Sequence, residues 1–211
     1  MSFEADSSHG SASQAFARLA ASPCVRADHL LLALAAAFGP TDEDGALELL
    51  DDFGRRLFGI ASLPPEPAVE RIASAMAADV GLVLASSGVE GLMLDQVLRR
   101  RRGHPALLAV VHVEAARRAG VELTLLGGEG DWYVGMQAAG ELVLIDFASH
   151  TRGPGDRLRL RRHCCHELAH AVLGELSERF AALGREEEAE RAIQLQALLP
   201  VKRYRSEEDG G

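Results

Sequence analysis

The 211-residue chain has no long apolar run, no excess of positive charge and no cysteine framework. Its strongest apolar run, from Leu30 to Gly39, falls well short of the ~20 residues that a membrane-spanning helix needs. Lysine and arginine number 22 against 31 aspartate and glutamate, a formal net charge of −9. General nucleic-acid binding needs basic surface to displace phosphate counterions, so this balance argues against it. Nor is the charge extreme enough to imply a disordered chain. The three cysteines, Cys24, Cys164 and Cys165, are odd in number and two are adjacent. That is no disulfide scaffold, and reduced thiols fit a cytoplasmic setting. The opening MSFEADSSHG has neither a basic region nor an apolar core, so it does not read as a signal peptide. What is present is ordinary globular composition, 47% hydrophobic and 25% charged, sized for one domain or one domain with a small appendage.

Residues 1–13 are rich in Ser, Gly and Ala and are expected to be disordered. Ala27 to Phe38 reads as a buried helix, with Asp28 early in it. Thr41 to Phe58 reads as a second, with Thr41 as N-cap and Glu43 and Asp44 at its positive end. After a break at Pro64, Pro65 and Pro67, Val69 to Leu84 reads as a third. Leu92 to Arg102 is amphipathic and ends in four arginines. Pro105 can open the next helix, which runs to Arg118 and stops at Gly120. Leu107, Leu108, Val110, Val111 and Val113 make it a central, buried helix. The period then changes: Val121 to Leu126, Trp132 to Met136 and Glu141 to Phe147 read as strands separated by glycines. Arg159 to Leu183 and Glu186 to Leu199 read as two helices joined at Gly184. The expected class is α+β: a helical N-terminal region, a small antiparallel sheet and a C-terminal helical hairpin. The expected division is a domain at 14–150, a hairpin at 151–205 and a disordered acidic tail at 206–211.

The stretch LDQVLRRRRGHPALLAVVHVEAARRAGVELTLLGGEGDWYV, followed by LVLIDF, resembles the SirB-type transglutaminase-like family of bacteria. Family members share an R-R-G-x-P turn, a buried helix ending in A-R-R-x-G, a G-H-F-L-V-type strand and a Y-I-D-P-F strand. The likeness is nearly gapless for about forty residues, and it implies a papain-like core. LGREEEAERA at 183–192 looks like the turn and second helix of the tetratricopeptide-like tail seen in that family, though one unit is too short for a repeat array. In active transglutaminase-like enzymes the cysteine nucleophile opens the buried helix, and a His and an Asp follow on the strands. The resemblance puts Pro105 at the Cys position, Asp131 at the His position and Asp146 at the Asp position. A proline offers no nucleophile, and an aspartate does not shuttle protons as imidazole does near neutral pH.

His166-Glu167-Leu168-Ala169-His170 fits a second pattern. Histidines at i and i+4 share a helix face and can hold zinc or another divalent metal, while the intervening glutamate polarises the bound water. His163 adds a position one turn earlier, and Glu188 on the next helix is the candidate third ligand. EEEAERAIQLQALLP also resembles the glutamate helix of the ImmA-type metallopeptidases, out of register by one residue. The competing reading is that the pattern falls by chance on a His- and Glu-bearing helix that starts the tail hairpin.

Asp131 and Asp146 are paired candidates: neighbouring carboxylates can split their pKa values and act as acid and base. His104, one residue before the Cys position, is a third candidate, and its plain reading is a polar group at a helix N-terminus. Arg99 to Arg102 and Arg157 to Arg162 are basic islands that are either solvated, paired or anion-binding. Trp132 reads first as core packing and second as a ligand wall. Three functions follow. The first is a degenerate, non-catalytic binding or regulatory module with a protein or peptide partner and no cofactor. The second is a repurposed enzyme using Asp131 and Asp146 with His104. The third is a metal-dependent hydrolase using His166, Glu167 and His170 with Glu188.

Overall fold

The computed structural model describes residues 3–23, 25–85, 88–128, 131–138, 141–146, 151–154 and 160–201. Cys24, Phe147, Arg157, Arg159 and the acidic tail at 206–211 lie outside these. The stretch expected to be disordered is, from Phe3 onward, the first part of helix α1 (Phe3–Ala20). Phe16 and Ala20 are fully buried near its end, and α1 packs on α2 (Ala27–Ala36). An anchored turn removes the nucleation cost, so the Ser- and Ala-rich residues before it propagate the helix.

Helix α3 (Glu43–Arg56) is capped by Asp42 and not by Thr41: the Asp42 carboxylate accepts from Gly45 N at 3.0 Å. Helix α4 (Pro65–Ser74) starts on a proline, whose missing N–H costs nothing at that position. It continues as a π-helical turn, Ala75–Val80, and then stops. The third helix is therefore shorter than its apolar pattern suggests. Val83–Leu84 is strand β1, paired in parallel with β2 (Arg102–Gly103). Between them lies α5 (Leu94–Arg100), closed by Arg101 at φ 54.

Helix α6 (Pro105–Arg118) has the bounds that its sequence predicts and is the core of the molecule. Leu107, Leu108, Val110, Val111, Ala115 and Ala116 are buried. It packs against α3 and α2 on one side and the sheet on the other. The sheet is antiparallel, in the order β6-β5-β4-β3-β7. Its strands are β3 (Thr124–Gly128), β4 (Asp131–Ala138), β5 (Glu141–Asp146), β6 (Thr151–Pro154) and β7 (Arg161–Arg162). Leu126 pairs with Tyr133 and with Arg162, so β3 is central at this point. Arg161–Arg162 was expected at the start of a helix. It is an edge strand, and helix α7 (Cys165–Ala182) begins only after it.

Helix α8 (Glu186–Ala197) folds back on α7 across Gly184, whose φ of 70 is a conformation that glycine adopts at little cost. Asp28 on α2 and Glu114 on α6 are buried carboxylates. Arg118 reaches Asp28 at 2.7 Å, Glu114 at 2.8 Å and Asp51 at 2.6 Å. Arg26 pairs with Asp28, and Arg117 with Glu114 at 2.9 Å. Charges taken from water persist only with such partners. No described helix is long and apolar enough to cross a membrane.

Candidate functional site

A cleft of about 770 Å³ opens where the N-terminus of α6 meets the sheet and α7. His104 and Ala106 contribute from α6, Gly127 and Gly128 from β3, and Asp131 and Trp132 from β4. The opposite wall is Leu160, Arg161 and His163 with one face of α7, including Ala171, Val172, Glu175 and Glu178.

His104 is the N-cap of α6, and its Nδ1 accepts from Ala106 N at 3.3 Å. A ring that accepts at Nδ1 carries its proton at Nε2 when neutral. Burial pushes its pKa down, Glu175 pushes it up and Arg179 pushes it down, with a net lowering. His104 is therefore a neutral hydrogen-bond donor at neutral pH, a state favoured at the positive end of a helix. Pro105 follows at the first helical position.

His163 sits just after β7, where its N–H donates to Leu125 O at 3.0 Å. This tie to β3 places it off α7, so it does not extend the His166–His170 face. Its ring meets Trp132 edge-on, with centroids 4.8 Å apart. A Cβ on Gly127 would lie 2.8 Å from its Nε2, so a residue without a side chain lets the imidazole lie against β3. Burial and the Arg161 charge lower the His163 pKa, against Glu167 and a Gly127 backbone hydrogen bond that raise it. Its Nδ1 is 3.7 Å from Glu167 and has no hydrogen-bond partner among the described residues.

Asp131 is exposed and lines the cleft. Asp146 ends β5, one position beyond the Val134–Ile145 pair. Asp131 lies three positions before Val134, so the two aspartates share one end of the β4–β5 ladder. The Asp146 side chain is outside the described set. Trp132, 9% exposed, is both core and cleft wall.

The His-Glu-x-x-His residues take other partners in this structure. Glu167 accepts from the Cys164 N–H at 2.9 Å, completing a capping box at the start of α7, and pairs with Arg161 at 2.6 Å. Burial raises its pKa, but the Arg161 and Cys164 hydrogen bonds outweigh this and hold it below the usual carboxylate range. His166 is buried, with Nδ1 4.0 Å from the Cys165 sulfur. His170 meets α8 at Gln196, whose amide donates to the His170 carbonyl at 2.9 Å. Glu188 lies eight residues before Gln196 on α8, roughly 12 Å along the axis at 1.5 Å per residue. It pairs with Arg185 at 2.7 Å, which lowers its pKa. Glu188 therefore does not join His166 and His170. Among the described residues no group of three His, Cys, Asp or Glu is placed to hold a metal ion.

Cys165 lines a smaller hollow of about 440 Å³. Its thiol donates to Val25 O at 3.3 Å, and burial with the neighbouring Cys164 pushes its pKa up to about 11. Cys164 and Cys165 are both free thiols, and Cys164 is exposed. The spacing rules missed His163 as a cleft residue, and they missed Glu175 and Glu178 altogether.

Residues 48–152 match the family model Transglut_core2, the transglutaminase-like superfamily. The chain carries a transglutaminase-like domain. No curated protein and no solved structure matches it. The matched segment runs from within α3 to β6 and supplies His104, Asp131 and Trp132. The wall formed by β7 and α7 lies beyond it. The cleft is thus built half from the transglutaminase-like domain and half from the segment that follows.

Proposed function

We propose that this transglutaminase-like protein binds a ligand in the α6–α7 cleft and does not perform cysteine acyl transfer there. The observation that carries this reading is Pro105 at the first position of α6, beside a cleft of about 770 Å³. By resemblance, the thiol of an active enzyme stands at that helix end. Proline has no nucleophile, and Cys165, with a thiol pKa of about 11, lines the other hollow. The cleft volume falls in the range of small-ligand sites, about 300–1,000 Å³. Its occupant is a small molecule or a side chain presented by a partner protein. Helix α7, the first of a hairpin that resembles one tetratricopeptide unit, supplies most of the second wall.

The test offers a fluorescent alkylamine and a glutamine-containing peptide to the full chain. Incorporation should not exceed that of the protein-free blank. A rate that Asp131→Ala or His104→Ala alone abolishes would overturn the proposal. It would favour a second reading, in which the cleft keeps acid–base chemistry. That reading draws on His104, whose neutral ring holds an N–H donor at Nε2 in the cleft that Asp131 also lines, with Asp146 on the strand next to that of Asp131.

A further inference from the structure

We infer that the cleft takes a guanidinium group, an inference that rests on the binding reading above. Three carboxylates line it from two walls: Asp131 from β4, and Glu175 and Glu178 from α7. Asp131 and Glu178 have no ion pair among the described residues. Glu175 shares Arg179 at 3.1 Å and stays 45% exposed at its side chain. Among the described residues, the one cation in the lining is Arg161, bound to Glu167 at 2.6 Å. The two imidazoles are held toward their neutral forms by burial.

An independent feature points to a donor-rich ligand. The His163 side chain lines the cleft, is only 10% exposed, and leaves Nδ1 without a hydrogen-bond partner among the described residues. A buried acceptor left unmade is costly, so a ligand N–H that reached it would be favoured. Trp132 adds an aromatic wall beside it.

These features select guanidinium over ammonium. An ammonium is a compact, strongly hydrated point charge, whereas a guanidinium is flat, weakly hydrated and carries five N–H donors in a fixed fork. The second pairs with carboxylates through that fork while its flat face lies against an aromatic ring. The net charge of −9 favours approach of such a cation.

Trp132 is the only tryptophan in the chain, so its emission reports on the cleft without a label. The full chain is titrated with agmatine, with an arginine-containing tripeptide amide, with cadaverine and with glutarate, and calorimetry is run beside the fluorescence. Saturable binding of a guanidinium probe is expected, with cadaverine roughly tenfold weaker and glutarate silent. Glu175→Gln/Glu178→Gln should weaken agmatine roughly tenfold, and added salt should weaken it further. Both residues sit on the solvent side of α7, so the variant keeps the core. Tighter binding of agmatine than of the tripeptide would mark a free guanidino compound as the source, and the reverse a protein side chain. Equal binding of cadaverine and agmatine overturns the inference, as does binding of glutarate alone, and both leave the cleft as a binding site. Silence of every probe by both methods overturns the inference and the binding reading together.

Discussion

Arg118→Ala is the substitution with the best-defined cost. Arg118 touches three carboxylates, and two of them, Asp28 on α2 and Glu114 on α6, are buried. Removing it leaves those two to Arg26 and Arg117, each about two-fifths exposed and so screened. Breaking a buried ion pair by deleting one partner costs about 3–5 kcal/mol. For a chain of this size that lowers Tm by roughly 6–20 °C, at about 2–4 °C per kcal/mol. The pH dependence gives an internal check. Burial raises the Asp28 pKa, but hydrogen bonds from Arg118 and Arg26 bring it below the usual value. A depressed carboxylate stabilises the fold above its unfolded pKa of about 3.9, and that stability is lost as pH falls through the lower folded value. In the variant the Asp28 pKa rises, so protonation relieves the strain earlier on acidification. The difference between wild type and variant should be largest near pH 7 and should shrink toward pH 4, measured by urea unfolding. A loss below about 1 kcal/mol at pH 7, or a gap that does not narrow, would refute the assignment of this network as the pin between α2 and α6.

Metal content of the purified protein, measured by elemental mass spectrometry, should be negligible and unchanged in His166→Ala/His170→Ala, because Glu167 and Glu188 are committed to Arg161 and Arg185. Stoichiometric zinc lost in that variant would reverse this. Glu167→Gln should cost about 1 kcal/mol at pH 7 through the lost charge at the cap and the lost ion pair, seen in urea unfolding. The loss should fade as pH drops below about 4.3, since the Glu167 pKa is depressed in the fold. Iodoacetamide at pH 8, read by peptide mass spectrometry, should modify exposed Cys164 well before Cys165, whose pKa of about 11 leaves roughly one thiolate in a thousand. Gly127→Ala should displace the His163 ring and shift Trp132 emission, because the new methyl would fall 2.8 Å from Nε2.

The elements most legible in the sequence are those whose pattern and packing agree. Pro105 to Arg118 carries a proline start, apolar residues on every side and basic residues at its end, and α6 has those bounds. The three strands after it were placed, with ends that move by a few residues as the ladder closes. Misreadings fall where local pattern and tertiary context disagree. The apolar residues of 75–84 continue a helical stripe, but Gly81 at φ 76 ends it and leaves Val83–Leu84 to pair with β2. Residues 1–13 look featureless alone, yet from Phe3 onward they are helical, anchored by Phe16 and Ala20 downstream.

The cleft shows why a motif and a site need not coincide. Asp131 and His104 were found because the resemblance located the helix end around which the cleft forms. His163 was assigned to a helix because histidines at 163, 166 and 170 suit a helical spacing. Yet RLRLR at 157–161 alternates charged and apolar residues, which is the period of a strand. Once Arg161–Arg162 pairs with β3, His163 is carried to Trp132, and Glu167 becomes the residue that caps α7. The glutamate of the His-Glu-x-x-His pattern is thus fixed by its place as the third residue of a helix, three after the N-cap. That is where a capping box puts a glutamate irrespective of metal. Glu175 and Glu178 escaped notice because three acidic residues, two on a helix and one on a strand 44 positions earlier than the first of them, become neighbours only through the fold.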